Sequence, residues 1–197
     1  MVAQQLCDGG ADLIQLRAKQ SSPDETRQMA ESLLLVTRRA GAGLVINDYP
    51  SIARELGADL CHLGQEDFFQ AGYTQVSQVA AAAAGGAPTE IKPAPQIGLS
   101  THSPDQAHKA IAAGADYIAI GPVFATGTKP TAKPVTLEYV RWAAANVQIP
   151  WFAIGGINLA TIDAVLNAGA RRVCVVSAIL NRDDVAQACR EFRKRLK

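Results

Sequence analysis

Seven short apolar runs recur along the chain, and each stops abruptly at polar or charged residues. They read DLIQLR (12–17), GLVIND (43–48), DLCHLG (59–64), QIGLS (96–100), DYIAIGPV (116–123), PWFAIGG (150–156) and RVCVVSA (172–178). Most are apolar throughout, not alternating, as strands covered on both faces of a parallel sheet require. Between them lie Ala-rich amphipathic stretches of helical length at 24–40, 104–113, 136–147 and 159–168. Strands alternating with helices predict βαβ units. The tag GAD or GAR precedes several runs, at Gly10–Asp12, Gly57–Asp59, Gly114–Asp116 and Gly169–Arg171. Its Gly suits the left-handed cap that ends one helix and turns the chain into the next strand. The pattern predicts an α/β protein, a (β/α)8 TIM barrel, formed by one domain over 1–197. The chain opens on an expected helix, Met1–Cys7, so the usual first N-terminal strand of such a barrel is expected to be absent.

One segment departs from the pattern. VAAAAAGGAPTEIKPAPQ (79–96) is low in complexity, with Gly and Pro clustered at its centre. Its alanines read as a helix end and Gly85–Pro95 as a mobile surface loop. A second domain does not fit in so little chain.

Composition adds exclusions more than assignments. A formal net charge of +1 offers no general field for nucleic acid or an anionic membrane surface. The basic run REFRKRLK at the end reads as the polar face of a terminal helix. The four cysteines, Cys7, Cys61, Cys174 and Cys189, lack CxxC spacing and are expected to be free, buried thiols of a reducing compartment. The start, MVAQQLCDGG, has neither a basic nor an apolar signal-peptide region, and no run approaches the ~18 apolar residues of a membrane span. A cytoplasmic protein acting on small molecules is expected, with no nucleic-acid or membrane partner; a homo-oligomer is compatible with the sequence.

In α/β barrels the active site lies at the C-terminal ends of the strands. There the chain reads Gln15-Leu16-Arg17-Ala18-Lys19, Asn47-Asp48, His62 to Asp67, Ser100-Thr101-His102, Thr126 to Lys129, Gly155-Gly156-Ile157 and Val176-Ser177. Arg17, Lys19 and Lys129 are three cations able to converge on phosphate oxygens, Arg as a bidentate fork and Lys as a point charge. Asp48 and Asp67 are expected to end consecutive strands, so they can approach each other. Two carboxylates beside phosphates suit Mg²⁺, which keeps waters and bridges to phosphate oxygens; the alternatives for Asp48 are a solvated carboxylate or an Asp–Lys bridge. The glycines of AIGGIN, with VVSAIL, suit a second, monophosphate site after the last two strands. Ser100, followed by His102, resembles part of a nucleophilic pair, but residues two apart need not touch and no acid is placed to orient the His, so Ser100 reads as a binding hydroxyl. His62 reads as a packed core histidine and His108 as exposed on a helix. Three histidines without HxH or HExxH spacing argue against zinc, and no GxGxxG or GxxxxGK[ST] nucleotide loop is present.

Together QLRAK (15–19), ND (47–48), GADLCHLGQED (57–67), GLSTH (98–102), GPVFATGTK (121–129), AIGGI (153–157) and VVSAI (175–179) resemble the thiamine phosphate synthase family, in the family's order over most of the chain. The resemblance implies a transferase that joins 4-amino-2-methyl-5-hydroxymethylpyrimidine diphosphate to a thiazole ethyl monophosphate, carboxylated or not, with loss of diphosphate. It implies that Gln15, Arg17, Lys19, Asn47, Ser100 and Lys129 hold the pyrimidine diphosphate, that Arg17, Lys19, Ser100 and Lys129 are catalytic, and that Asp48 and Asp67 bind Mg²⁺. Thr126, Gly127, Thr128, Gly155, Gly156, Val176 and Ser177 would hold the thiazole phosphate. Competing readings are a thiazole tautomerase-like isomerase, which needs no diphosphate–Mg²⁺ site, and a non-catalytic barrel that only binds a phosphate ligand.

Overall fold

The computed structural model describes residues 1–83, 93–127 and 133–196. The chain runs α1 (Val2–Asp8), β1 (Leu13–Leu16), α2 (Pro23–Ala40), β2 (Gly43–Asn47), α3 (Pro50–Leu56), β3 (Leu60–Leu63), α4 (Gln65–Gln70) and α5 (Val76–Ala82). It continues as β4 (Gln96–Thr101), α6 (Pro104–Ala112), β5 (Tyr117–Ile120), α7 (Thr136–Asn146), β6 (Trp151–Ile154), α8 (Ile162–Asn167), β7 (Val173–Cys174), α9 (Ser177–Leu180) and α10 (Val185–Arg195). All seven strands form one parallel sheet in sequence order. The helix end among the alanines is α5, but most of the expected Gly85–Pro95 loop lies outside the described residues. So do Thr128 and Lys129.

The glycine tags act as the sequence suggests at α3, whose C-cap Gly57 is left-handed with φ 68°. The long helix α2 begins with a capping box. Ser22 Oγ accepts from the Glu25 N–H at 3.3 Å, and the Glu25 carboxylate accepts from the Ser22 N–H at 2.8 Å. Helices α3 and α4 are 7 and 6 residues long, too short for a 3.6-residue period to declare itself. The run 172–178 shrinks to a two-residue strand, Val173–Cys174. Its neighbour β6 ends at Ile154, because Gly155 and Gly156 turn away at φ 98° and 66°, so the next apolar residues have no ladder to join.

Parallel register sorts the side chains into two faces. Leu44, Ile46, Cys61, Ile97, Leu99, Ile118 and Ile120 point towards the helices and form the main core, most of them with no exposed surface. Each such side chain contributes about 1.5–3 kcal/mol of burial. The opposite face carries a smaller cluster of Val45, Leu60 and Tyr117, with Leu13 and Phe152 against it. Tyr117 occupies the room that Gly98 leaves: a Cβ at Gly98 would stand 2.0 Å from Tyr117 Cζ.

The sheet is curled. A flat sheet would hold β1 and β7 about 29 Å apart, yet Gln15 of β1 and Cys174 of β7 line the same cavity of about 250 Å³. The curl does not close into a complete strand ring, since β7 and β1 are not paired among the described residues. The helices do bridge that seam. α1 packs against both α2 and α10. Arg193 of α10 donates to the Gly10 carbonyl and to both Asp12 carboxylate oxygens at 2.8 Å. The observed architecture is thus a curled seven-stranded parallel α/β sheet, one strand short of the expected eight-fold ring.

Candidate active site

The cavity lies on the inner face above the Val45–Leu60–Tyr117 cluster, at the C-terminal ends of the strands. Its lower wall is the upper layer of inward side chains: Gln15, Asn47, His62, Ser100, Ala119, Ile154 and Cys174. Each stands two residues, one inward step, beyond a position in the layer below. Asn47 is buried, whereas Gln15, beside the seam, is exposed.

Arg17 and Lys19 reach the cavity from the chain after β1, and both are exposed. Asp48 reaches it through an unusual backbone. Simple alternation would turn its side chain to the helix face, but its φ is 69° while its N–H still donates to the His62 carbonyl at 2.9 Å. Asp tolerates the left-handed region better than most residues, at a cost of order 1 kcal/mol or more. Its carboxylate lies 3.5 Å from Lys19 Nζ, an exposed pair that contributes little to stability. The Asp–Lys bridge weighed from the sequence is therefore present.

Asp67 does not end a strand, as the pattern suggested. It sits in the first turn of α4, where Gly64 lets the chain turn; a Cβ at Gly64 would come within 2.7 Å of Asp67 Oδ2. Asp48 and Asp67 also line an adjoining apolar cavity of about 280 Å³ with Phe68 and Tyr73.

Opposite stand Thr126, Gly155, Gly156, Val176 and Ser177, all lining the main cavity. Gly127 is adjacent in sequence to Thr126 but is not part of the lining. The two glycines let the chain after β5 lie directly on β6: a Cβ on Gly155 would stand 2.4 Å from Pro122 Cβ, and one on Gly156 would stand 2.6 Å from the Ala125 carbonyl. Val123 and Phe124 donate to the carbonyls of Ile154 and Gly155 at 2.9 and 3.1 Å.

Ser100 and His102 do not pair. Ser100 Oγ donates to the Leu63 carbonyl at 3.3 Å, and His102 Nδ1 bonds the Gly121 carbonyl. His62 is both packed and lining, with its ring 5.7 Å from that of Tyr117 and its side chain at the cavity wall. His108 is exposed, its ring edge-on to Trp142. Ala119, Ile154 and Cys174 escaped the sequence reading. The signal that finds them is two-residue alternation counted back from Ser100 and forward along β6 and β7. All four cysteines are free. Burial pushes the Cys174 thiol up to about 11, so it stays protonated near neutrality.

Cations, carboxylates and glycine turns gathered at one end of a parallel sheet define a class, the α/β barrel-type enzymes that act on small molecules. The chain belongs to the thiamine monophosphate synthase family, whose model matches residues 1–179. It is 43% identical over 191 residues to the thiamine-phosphate synthase of Thermus thermophilus, covering 95% of this chain and 84% of that protein. It superposes on the thiamine phosphate pyrophosphorylase of Pyrococcus furiosus with a TM-score of 0.83 at 32% identity, covering 99% of this chain and 87% of that one. A 3-hexulose-6-phosphate synthase shares the fold, with a TM-score of 0.66 at 21% identity over 100% of this chain and 94% of its own.

Proposed function

We propose that this chain, a single barrel-type domain over 1–197, is a transferase that makes thiamine monophosphate from 4-amino-2-methyl-5-hydroxymethylpyrimidine diphosphate and a thiazole ethyl phosphate, releasing diphosphate. The observation that carries the reading is the charge balance of the cavity within a family-wide match. Arg17 and Lys19 face Asp48, Glu66 and Asp67, so the described lining is one carboxylate in excess. A diphosphate could not settle beside that excess without further positive charge.

Mg²⁺ fits that demand. Two exposed or half-exposed carboxylates from adjacent elements, open to the cavity, match an ion that takes few protein ligands and completes its shell with waters and phosphate oxygens. No group of three or more His, Cys, Asp or Glu suited to a metal occurs among the described residues, so an all-protein cage is not the arrangement. Asp48 and Asp67 would hold the ion, which when bound neutralises charge on the diphosphate. Lys19, already beside Asp48, would swing between that carboxylate and the diphosphate oxygens.

Arg17, Lys19 and, from its place in the motif, Lys129 stabilise the departing diphosphate. Gln15, Asn47 and Ser100 orient the pyrimidine over the inner layer. Thr126, Gly155, Gly156, Val176 and Ser177 hold the thiazole phosphate on the opposite wall, together with Gly127 and Thr128 from their place in the motif. The C–O bond to diphosphate breaks first and its electron pair leaves with the diphosphate. The thiazole nitrogen then donates its lone pair to the exposed methylene. No protein nucleophile is required, in keeping with Ser100 and His102 being unpaired with one another. Catalysis is charge stabilisation and placement.

The test is synthesis of thiamine monophosphate by the purified chain from both substrates with Mg²⁺, against an EDTA control. Asp48→Asn, which keeps the left-handed preference and removes the charge, is expected to lower turnover by 10²-fold or more, roughly the worth of one such charge. Its unfolding midpoint should stay close to the parent's. Full activity in Asp48→Asn would remove Asp48 from the ion site.

A further inference from the structure

We propose that His102 is a positioning residue, which sets the thiazole-phosphate wall by holding the carbonyl of Gly121; this rests on the reading of the cavity given under Proposed function.

The segment from Gly121 to Thr126 joins the end of β5 to the cavity wall. Three of its N–H donors are tied to backbone. Gly121 N–H donates to the Thr101 carbonyl at 3.2 Å, Val123 to Ile154 at 2.9 Å and Phe124 to Gly155 at 3.1 Å. The Pro122 carbonyl accepts from Val135 N–H at 2.8 Å. The Gly121 carbonyl is different. Among the described residues no backbone N–H reaches it, and its partner is the His102 ring. A buried carbonyl without a donor is destabilising and forces the peptide to turn.

That peptide has no slack in which to turn harmlessly. A Cβ at Gly121 would stand 2.2 Å from the Ile154 carbonyl, and Pro122 and Ala125 press on Gly155 and Gly156 just as closely. Rotation at Gly121 therefore moves the segment across the glycine turn and displaces Thr126, which lines the cavity.

His102 is itself held. Its backbone N–H donates to Gln106 Oε1 at 2.6 Å, in the first turn of α6, whose cap Ser103 accepts from Gln106 N–H at 3.3 Å. The adjacent Tyr139 hydroxyl lies 2.8 Å from both Thr101 Oγ1 and the Ser103 carbonyl, while Thr101 Oγ1 donates to the Ala119 carbonyl at 2.9 Å. A carbonyl only accepts, so the bond to Gly121 places the ring proton on Nδ1.

Three substitutions separate the roles of the two ring nitrogens. Asn carries its amide nitrogen where Nδ1 stands, Gln carries one where Nε2 stands, and Ala carries neither. His102→Ala is expected to lower kcat/KM for the thiazole phosphate roughly 30-fold, as displacement of a positioning group by a fraction of an ångström does. For the pyrimidine diphosphate the expected loss is below about threefold on the same reasoning. His102→Asn should return the thiazole value to within about threefold of the parent, and His102→Gln should not.

A second readout needs no turnover. In ¹⁵N–¹H spectra the Thr126 and Gly127 amide signals should shift in His102→Ala and return in His102→Asn. Rescue by Gln and not Asn would assign the residue to direct ligand contact through Nε2 and overturn the proposal. So would equal loss for both substrates in all three variants, or none in any. A parent chain that makes no product would count against the proposed activity alone, and the amide shifts would still decide the role of His102.

Discussion

The wall formed by β4 and β5 and the seam between β7 and β1 are built from the same kinds of residue but are held in opposite ways. At the wall, the glycine at 98 admits a whole tyrosine ring, and Tyr117 fills the interior with 6% of its surface exposed. Ladder hydrogen bonds continue on both sides of β4 and β5. At the seam no ladder spans the gap among the described residues, and closure falls to helices and to the guanidinium of Arg193, bonded to Asp12 and Gly10. One region is fixed by shape and the other by exposed charge. Shape tolerates little change, and exposed charge tolerates much.

The largest effect that would break this contrast is at Gly98. Gly98→Ala places a methyl inside the Tyr117 ring and should cost about 3 kcal/mol in urea denaturation. Adding Tyr117→Leu to the same chain should recover most of it; a silent Gly98→Ala would mean that the wall is looser than its geometry. Next comes the Tyr117 hydroxyl, the buried side-chain oxygen without a protein partner among the described residues. Tyr117→Phe should leave stability unchanged or raise it by about 1 kcal/mol. A clear loss would show that an interior water satisfies the oxygen. The smallest effect is at the seam. Arg193→Ala should leave the unfolding midpoint within error of the parent's, while amide exchange along β1 accelerates and that along β4 does not. Equal acceleration in both strands would mean that the two regions open together.

The order of elements was readable because a strand covered on both faces must be apolar throughout, and because helices need glycine to stop. Those signals are local, and every strand appeared where they occurred. What remained hidden was three-dimensional. Ala119, Ile154 and Cys174 carry no polar mark, and only the curl brings their face to the cavity. The left-handed turn at Asp48 depends on β3 supplying the His62 carbonyl to its N–H, a partner distant in sequence. The place of Asp67 on α4 was obscured because six residues are too few for a period. His62 looked like core and proved to be core and cavity wall at once, a distinction that periodicity does not contain. The failure of the ring to close was anticipated by counting runs, but the helical bridge across the seam was not.

The exposed position of Gln15 has a chemical corollary. If the pyrimidine cation forms before the new C–N bond, two nucleophiles compete for one carbon: the thiazole nitrogen, giving product, and water, giving the free pyrimidine alcohol and a proton. Gln15 is exposed and lines the cavity, so bulk solvent stands within reach of that carbon. The alcohol-to-product ratio is then a chemical clock for the lifetime of the cation against the arrival of solvent. It reports on the tightness of the protein from inside the reaction itself.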